Sequence, residues 1–320
     1  MNPLLTIENI VKHFPAKRGF FEAGEKLIHA LNDVSFNINE GEVLGLVGES
    51  GSGKSTLAKI IARLLESTGG KIIFEGRDIT SLKQNKLKNV RRNIQVVFQD
   101  PQSSLNPLMT AGSIISEPLM IHNLKKKAEI KNETLRLLNL VGLPENSFNR
   151  YPHEFSGGER QRIAICRALS LTPKLIIADE PVASLDVSIQ AQILDLLKSL
   201  KNKLNLTYLF ISHDLRVIEC MSNRVVVMYL GKIMEIAESR SLYKHPIHPY
   251  SEALISAIPI PDPQIKKKRI ILKGEIPQSI NLPSGCVFHT RCIYAKQKCV
   301  DEVPALTEKN GRFFACHFPL

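Results

Sequence analysis

Short apolar runs alternate with amphipathic stretches from the amino terminus to about Ala237 of this 320-residue chain. The runs have the length of strands and are rich in β-branched or aromatic residues, as expected where helices cover both faces of a sheet. They lie at residues 44–47, 71–74, 94–98, 174–178, 207–212 and 224–230. Helical patterns separate them, notably from Lys54 to Leu65 and from Ser188 to Lys203. This alternation predicts an α/β fold with a mostly parallel sheet and antiparallel strands at its edges.

The pattern changes twice along the chain. Residues 100–171 are mostly helical with no convincing strand, which predicts a helical subdomain inserted into the sheet domain. After Ala237 the periodicity weakens and prolines become frequent. We therefore predict an α/β domain over residues 1–237 and a small C-terminal domain over residues 238–320.

Composition and charge narrow the classes of protein. Hydrophobic residues make up 43% of the chain and charged residues 23%, which is ordinary for a globular protein. The first ten residues lack the pattern of a signal peptide, and no apolar run reaches the length of about 20 residues needed to span a membrane, so we expect a soluble, cytosolic protein. The net charge of +11 is compatible with nucleic acid, but no aromatic residues interleave the basic runs as in a strand-stacking platform. We therefore expect no nucleic-acid partner.

The segment GESGSGKST matches the phosphate-binding motif G-x-x-x-x-G-K-S/T, and it lies between a predicted strand and a predicted helix. Its glycines let backbone N–H groups approach a phosphate, and the helix N-terminus adds its positive end. Lys54 is expected to reach the β- and γ-phosphates, and the Ser55 hydroxyl to bind Mg²⁺. The predicted ATP-binding residues of this loop are Gly48, Glu49, Ser50, Gly51, Ser52, Gly53, Lys54, Ser55 and Thr56.

An apolar strand ending in two carboxylates, LIIADE, follows later in the chain. Asp179 is placed to hold the Mg²⁺ shell through water, and Glu180 to take a proton from a water that attacks the γ-phosphate. Gln99 and His213 also follow predicted strands, and FSGGERQR places a serine and two glycines at a helix start. Alone, a glutamine or histidine at a strand end is more often structural than functional, and the helix start of FSGGERQR is a second possible anion site.

Taken together, the loop, Gln99, the SGGER run, LIIADE, the ASLD run and His213 resemble the ATP-binding-cassette (ABC) ATPases in order and spacing. The resemblance covers the whole chain. In the tail, the HPY sequence that starts at His248 and the cysteine-rich end look like the ATP-binding subunits of oligopeptide and dipeptide permeases. FQDPQSSLNP and YPHEFSGGERQRIAICRAL resemble the F-type subunit of such permeases, which pairs with a D-type subunit.

The resemblance implies a role for each motif. Two cassettes close head to tail, so the signature of this chain would contact ATP held by its partner through Ser156, Gly157, Gly158 and Glu159. Gln99 would touch Mg²⁺, Glu180 would act as the general base, and His213 would contact the γ-phosphate. Phe14 falls where the family places an aromatic ring against adenine, although a core aromatic is the alternative. The family's Ser-Ala-Leu-Asp is Ala-Ser-Leu-Asp here, with Asp186 retained.

Four of the six cysteines lie in the last 35 residues, at Cys286, Cys292, Cys299 and Cys316. In a cytosolic protein such a cluster more often binds metal than forms disulfides, but the spacing lacks the C-x₂-C pairs of a zinc ribbon. The resemblance to permease ATPases favours a [4Fe–4S] cluster. Zinc, with His289 or His317 as substitute ligands, and free thiols remain alternatives.

The expected function is that of the ATP-hydrolysing subunit of an importer of dipeptides and oligopeptides. Its partners would be a second ATPase subunit of the D type, two membrane permease subunits and an extracytoplasmic binding protein, which place it on the cytoplasmic face of the membrane. An importer of nickel or another small solute shares this domain plan. A soluble cassette ATPase of DNA repair or of the ribosome, and a scaffold with dead ATPase sites, fit the sequence less well.

Overall fold

The computed structural model describes residues 3–16, 26–259 and 269–320. The described residues form two compact units. One unit contains the described residues within the ranges 1–38, 43–80 and 212–320, and the other contains residues 39–42 and 81–211. In the described residues no helix combines the length and the apolar character that a membrane-spanning segment requires.

The first unit contains a four-stranded antiparallel sheet in the order β2-β1-β4-β5. Alternate residues of its long strands are buried, among them Leu5, Ile7 and Ile10. The alternation is interrupted because the pairing of β1 with β2 shifts register between Ile7 and Ile10. At that point Asn9 has a φ of 49°, and its side chain donates a 2.6 Å hydrogen bond to Asp33. The strands are β1 (Leu5–Pro15), β2 (Leu27–Ile38), β4 (Gly69–Phe74) and β5 (Arg77–Asp78).

The same unit contains a run of five further strands in the order β11-β12-β10-β9-β3. Only the pairing of β3 with β9 is parallel, and β9, β10, β12 and β11 pair antiparallel. The strands are β3 (Val43–Val47), β9 (Arg224–Tyr229), β10 (Lys232–Glu238), β11 (Thr307–Lys309) and β12 (Arg312–Phe314). The helices of this unit are α1 (Lys54–Ile61), α8 (Leu215–Met221), α9 (Ser239–Lys244), α10 (Pro249–Ser256) and α11 (Gln297–Asp301), with a 3₁₀ turn at His289–Arg291.

The second unit contains three parallel strands in the order β8-β7-β6. They are β6 (Ile94–Val97), β7 (Leu175–Asp179) and β8 (Thr207–Ile211), and their apolar residues are almost fully buried. The helices are α2 (Gln84–Asn93), α3 (Pro101–Ser104), α4 (Ala111–Ile121), α5 (Lys127–Leu140), α6 (Gly157–Leu169) and α7 (Val187–Leu204), with 3₁₀ turns at Glu145–Asn149 and Pro152–Glu154. Between residues 100 and 171 every described element is helical.

The α/β class is therefore confirmed, but the expectation of a mostly parallel sheet is only partly right. The antiparallel strands form a separate sheet as well as edge strands. The run at residues 71–74 is a strand, yet it belongs to the antiparallel sheet, where β4 pairs with β1. The sequence does not show this because an apolar run of strand length carries no mark of its partner.

Candidate nucleotide-binding site

The loop Gly48–Thr56 joins the fully buried strand β3 to helix α1 in the first unit. Gly48 has a φ of 154°, and a Cβ there would lie 2.2 Å from the backbone oxygen of Met228. Gly53 has a φ of 103°, and a Cβ there would lie 2.6 Å from the oxygen of Ala30. Only glycine fits these positions, so the backbone amides can approach a phosphate as the motif requires.

The ammonium group of Lys54 lies against the loop, with the side chain largely buried. It donates to the backbone oxygens of Gly48 at 2.7 Å and Glu49 at 3.0 Å, and to the hydroxyl of Ser52 at 3.2 Å. The charge is therefore fixed at the mouth of the loop, where a phosphate group would need it. Ser55 is exposed at the first turn of α1, and the residues present fit a Mg²⁺-nucleotide.

Phe14 lies near the end of β1, opposite Ile28 of β2. Its ring is half-buried, and the ammonium of Lys12 lies 4.9 Å from the ring centroid. Phe14 does not belong to the buried core, so the reading as a core aromatic is not supported. A partly open ring is available for stacking.

In the second unit, the parallel strands β6, β7 and β8 end at one edge of the sheet, where parallel α/β sheets carry their functional residues. Asp179 is the last residue of β7 and lies opposite Ile211 of β8. Glu180 follows it with a φ of 50°, and its N–H donates to the Ile211 oxygen at 2.9 Å. The amide of Gln99, which comes two residues after β6, donates to the Glu180 carboxylate at 2.9 Å. The structure thus brings together two predicted residues that are 81 positions apart.

The signature serine begins helix α6. The Ser156 hydroxyl accepts from the N–H of Glu159, and the Glu159 carboxylate accepts from the Ser156 N–H at 2.8 Å and from its hydroxyl at 2.8 Å. These hydrogen bonds lower the pKa of Glu159. Gly158 packs close to α7, since a Cβ there would lie 2.6 Å from Ile189. The signature is therefore a capped helix start, with Ser156 exposed and a charged carboxylate beside it.

The remaining predicted residues occupy ends of elements. Asp186 is exposed and precedes α7 as its N-cap residue. His213 belongs to the first unit, two residues before α8, and is also exposed. Both residues therefore lie at the surface beside the start of a helix.

The four tail cysteines line one small pocket in the first unit, together with His248, His289 and His317. All four are free thiols. Burial raises the pKa of Cys286, of Cys316 and of Cys292, the last to about 11. The neutral thiol is thus the stable form of these groups unless a cation offsets the charge.

The expectation of a [4Fe–4S] or zinc centre is not supported by this arrangement. In residues 3–16, 26–259 and 269–320, no group of three or more His, Cys, Asp or Glu side chains is placed to hold a metal ion. Backbone packing brings the segments of two of these cysteines together: the N–H of Cys286 donates to the Cys299 oxygen at 2.8 Å, and a Cβ at Gly285 would lie 2.4 Å from the same oxygen.

Sequence reasoning missed two residues that touch the phosphate loop. Arg291 forms an ion pair with Glu49, and the Tyr250 hydroxyl accepts the N–H of Glu49 at 2.9 Å. Tyr250 carries a signal, because it ends the HPY sequence of the tail. Arg291 carries none, since an arginine 242 positions away shows nothing of its partner.

Comparisons with known proteins bear on these observations. Residues 31–183 match the model of the ABC transporter family, and residues 234–299 match the C-terminal region of oligopeptide/dipeptide transporters. The chain is also 51% identical over 318 residues to the oligopeptide transport ATP-binding protein AppF of Bacillus subtilis, covering 98% of this chain and 97% of that protein. The chain belongs to the ABC transporter ATP-binding proteins.

Other members of the family are similar over the same length. A Brucella ovis protein named as a peptide import ATP-binding protein is 50% identical over 315 residues, covering 98% of this chain and 97% of the relative. Since these likenesses run through the tail as well as the cassette, the whole chain takes part in the family resemblance.

Solved structures agree with the cassette fold. A dimeric ATP-binding cassette in a post-hydrolysis state, bound to ADP and Pi, matches with a TM-score of 0.64 and 32% identity, covering 74% of this chain and 99% of that one. The ABC transporter protein cbiO1 of Clostridium perfringens matches with a TM-score of 0.65 and 26% identity, covering 76% and 92%. As a member of the ABC family, the chain is an ATPase.

Proposed function

We propose that this ABC protein is the energy-coupling ATPase subunit of an importer of dipeptides and oligopeptides. One observation carries the proposal: the likeness to oligopeptide transport ATP-binding proteins extends over 98% of the chain, including the C-terminal region of residues 234–299. A cassette alone fits many transported solutes. The tail is the part that belongs to oligopeptide and dipeptide transporters.

The roles of the site residues form part of this proposal. ATP and Mg²⁺ bind at the loop Gly48–Thr56, with Lys54 on the phosphates and Phe14 against the base. Glu180 accepts the proton of the attacking water, and Gln99 and His213 orient the reacting groups. The glycine geometry of the loop, the buried Lys54 and the Gln99–Glu180 hydrogen bond support these assignments.

The signature acts on ATP held by a second cassette. We assign Ser156, Gly157, Gly158 and Glu159 to that contact, with Asp186 beside them. The start of α6 supports it, because the positive end of the helix dipole suits a phosphate. The second cassette is a different, D-type chain in this proposal.

The importer also needs two membrane permease subunits and an extracytoplasmic binding protein. The chain would sit peripherally on the cytoplasmic face of the membrane, bound to the permease subunits. We place its functional boundary at residue 237, with the ATPase domain before it, the helical subdomain at residues 100–171, and the transporter-specific tail after it. The two family matches, at residues 31–183 and 234–299, lie on the two sides of this division within a few residues.

For the cysteine tail, we propose that Cys286, Cys292, Cys299 and Cys316 hold a structural [4Fe–4S] cluster, with zinc as the alternative. Since no side chains of the described residues are arranged around a metal ion, the proposal rests on chemistry alone: four soft sulfur donors line one pocket. Anaerobically purified protein is then expected to be brown and to contain iron and sulfide. Colourless protein with stoichiometric zinc selects the alternative, and metal-free protein rejects both.

Uptake by a strain that lacks the gene tests the transport function. A labelled dipeptide, a longer labelled peptide and nickel are supplied separately to cells carrying the wild type, the Lys54→Ala variant or no copy. We expect the wild type to restore uptake of peptides only, and the variant to restore nothing, because phosphate binding is lost. If the wild type restored uptake of nickel but not of peptides, the chain would instead be the ATPase subunit of a small-solute importer.

A further inference from the structure

Glu49, the second residue of the phosphate loop, is held by an arginine from the tail. Arg291 donates to its carboxylate twice, from Nη1 to Oε2 at 2.6 Å and from Nη2 to Oε1 at 3.1 Å. The arginine side chain is 8% exposed and the glutamate 22%. A two-point guanidinium–carboxylate pair fixes orientation as well as distance, so the tail sets the direction of this side chain.

A second tail residue fixes the backbone at the same position. The N–H of Glu49 donates to the hydroxyl of Tyr250 at 2.9 Å, and Tyr250 is fully buried. Its ring packs against Tyr229 and Phe288, with centroids 4.8 Å and 5.2 Å away. The Tyr229 hydroxyl also accepts from Nη1 of Arg291 at 3.3 Å, so the same aromatic cluster contacts both tail residues that bind Glu49. The Tyr250 hydroxyl, which accepts the N–H of Glu49, is therefore held in position by the packed aromatic rings.

The third polar group of Glu49 faces the catalytic lysine. Its backbone oxygen accepts from the Lys54 ammonium at 3.0 Å. Each polar part of Glu49 thus has a partner: the side chain and N–H in the tail, and the carbonyl at Lys54. The contacts define the conformation of the loop just where it passes from Gly48 to the phosphate-binding turn.

We propose that Arg291 is a positioning residue for nucleotide binding: acting through Glu49, and together with Tyr250, it holds the phosphate loop in its binding conformation. This rests on the proposed ATP site at that loop. Arg291 acts on the affinity for ATP rather than on the chemical step, because it reaches Glu49 and not the reacting groups. The tail is consequently part of the nucleotide-binding machinery.

The experiment measures the ATP dissociation constant, KM, kcat and Tm of four variants in the full chain. Arg291→Gln removes the two-point pair and leaves a mostly buried carboxylate without its partner, so we expect about a tenfold weaker affinity with kcat within about twofold. Arg291→Lys keeps the charge but not the fork, so it recovers part of the affinity. Tyr250→Phe removes only the hydroxyl and weakens binding in the same direction.

Arg312→Gln is the matched control. Arg312, whose side chain is 13% exposed, forms a 2.5 Å ion pair with the fully buried Glu235 rather than with the loop. Its loss lowers Tm while the ATP affinity stays at the wild-type value. If Arg291→Gln and Arg312→Gln lost ATP affinity equally, Arg291 would only stabilise the tail and the proposal would be wrong. An unchanged ATP affinity in both Arg291→Gln and Tyr250→Phe would also overturn it. Failure of the wild type to bind ATP would instead reject the proposed function of the loop.

Discussion

At the scale of single residues, Glu180 combines an unusual backbone with a defined partner. Its φ of 50° lies in the left-handed region, which costs free energy for a residue with a side chain. The conformation is held because its N–H donates to Ile211 and its carboxylate accepts from Gln99. Strain of this kind often accompanies function, and here it directs the carboxylate that we assign as the general base.

This assignment predicts the behaviour of Glu180→Gln. The amide cannot accept the proton of the attacking water, so kcat for ATP hydrolysis is expected to fall at least about 100-fold, while the ATP dissociation constant stays within about twofold. Steady-state hydrolysis and equilibrium nucleotide binding measure the two quantities. Glu66→Gln removes an exposed carboxylate elsewhere and serves as the control. Near wild-type turnover in Glu180→Gln would remove the residue from its role.

The residues of the phosphate loop could be predicted from sequence because the motif is local. Gly48 and Lys54 lie within seven positions, and their roles follow from loop chemistry. The partners of Glu49 could not be predicted, since Tyr250 and Arg291 reach it only through the packing of the tail. The same limit applies to the Gln99–Glu180 contact, which needed the register of strands β6 and β7.

At the scale of elements, helix α6 depends on its first turn. Ser156 and Glu159 satisfy each other's backbone N–H groups, which would otherwise lack partners at the helix start. The sequence predicts that a helix starts at the SGGE run, and the structure confirms this helix start. Because of these reciprocal hydrogen bonds, Glu159 stabilises the start of the helix in addition to its proposed contact with ATP.

Replacing the cap predicts a pH-dependent loss of stability. Ser156→Ala is expected to lower the free energy of unfolding by about 1 kcal/mol at neutral pH, with exposed Ser81→Ala as the control. The pKa of Glu159 is lowered in the folded protein, so the carboxylate contributes stability above its ordinary pKa and loses it as the pH falls through the lowered value. The difference between variant and wild type should therefore shrink in acid, as urea unfolding at several pH values would show. A difference independent of pH would contradict this coupling.

The first antiparallel sheet shows why elements can escape prediction. Strands β1 and β2 are long, yet their alternation of buried and exposed residues is shifted near Asn9 and Asp33, both of which have positive φ. A register shift moves the following side chains to the other face, so the period of two is broken. The buried runs of β6, β7 and β8 have no such break and are predicted correctly.

At the scale of the whole molecule, the two units do not follow the order of the chain. The first unit joins the N-terminal strands to residues 212–320, and the second is formed from the middle of the chain. The boundary at residue 237 stays a prediction about function, because strand β12 of the tail pairs with β10, which ends at Glu238. Sequence patterns report local periodicity, whereas a distant pairing such as that of Glu235 with Phe314 depends on topology.

The Glu180→Gln variant also tests assembly. With hydrolysis blocked, ATP should trap a closed pair of cassettes, because each signature lies on ATP bound by the other chain in our proposal. If the partner is a D-type chain, size-exclusion chromatography in ATP will show a stable pair only after that chain is added. A pair formed by this chain alone would replace the D-type partner with a second copy.

The pairing of β12 with β10 has a consequence for folding during synthesis of the chain. Until β12 is available, the β10 edge would present unpaired N–H and C=O groups, which are a template for pairing with another chain. Strand β12 ends at Phe314, so the edge stays open while about 75 residues are translated, roughly 4–15 s at ordinary rates of synthesis. During that interval each new chain is exposed to aggregation through this edge.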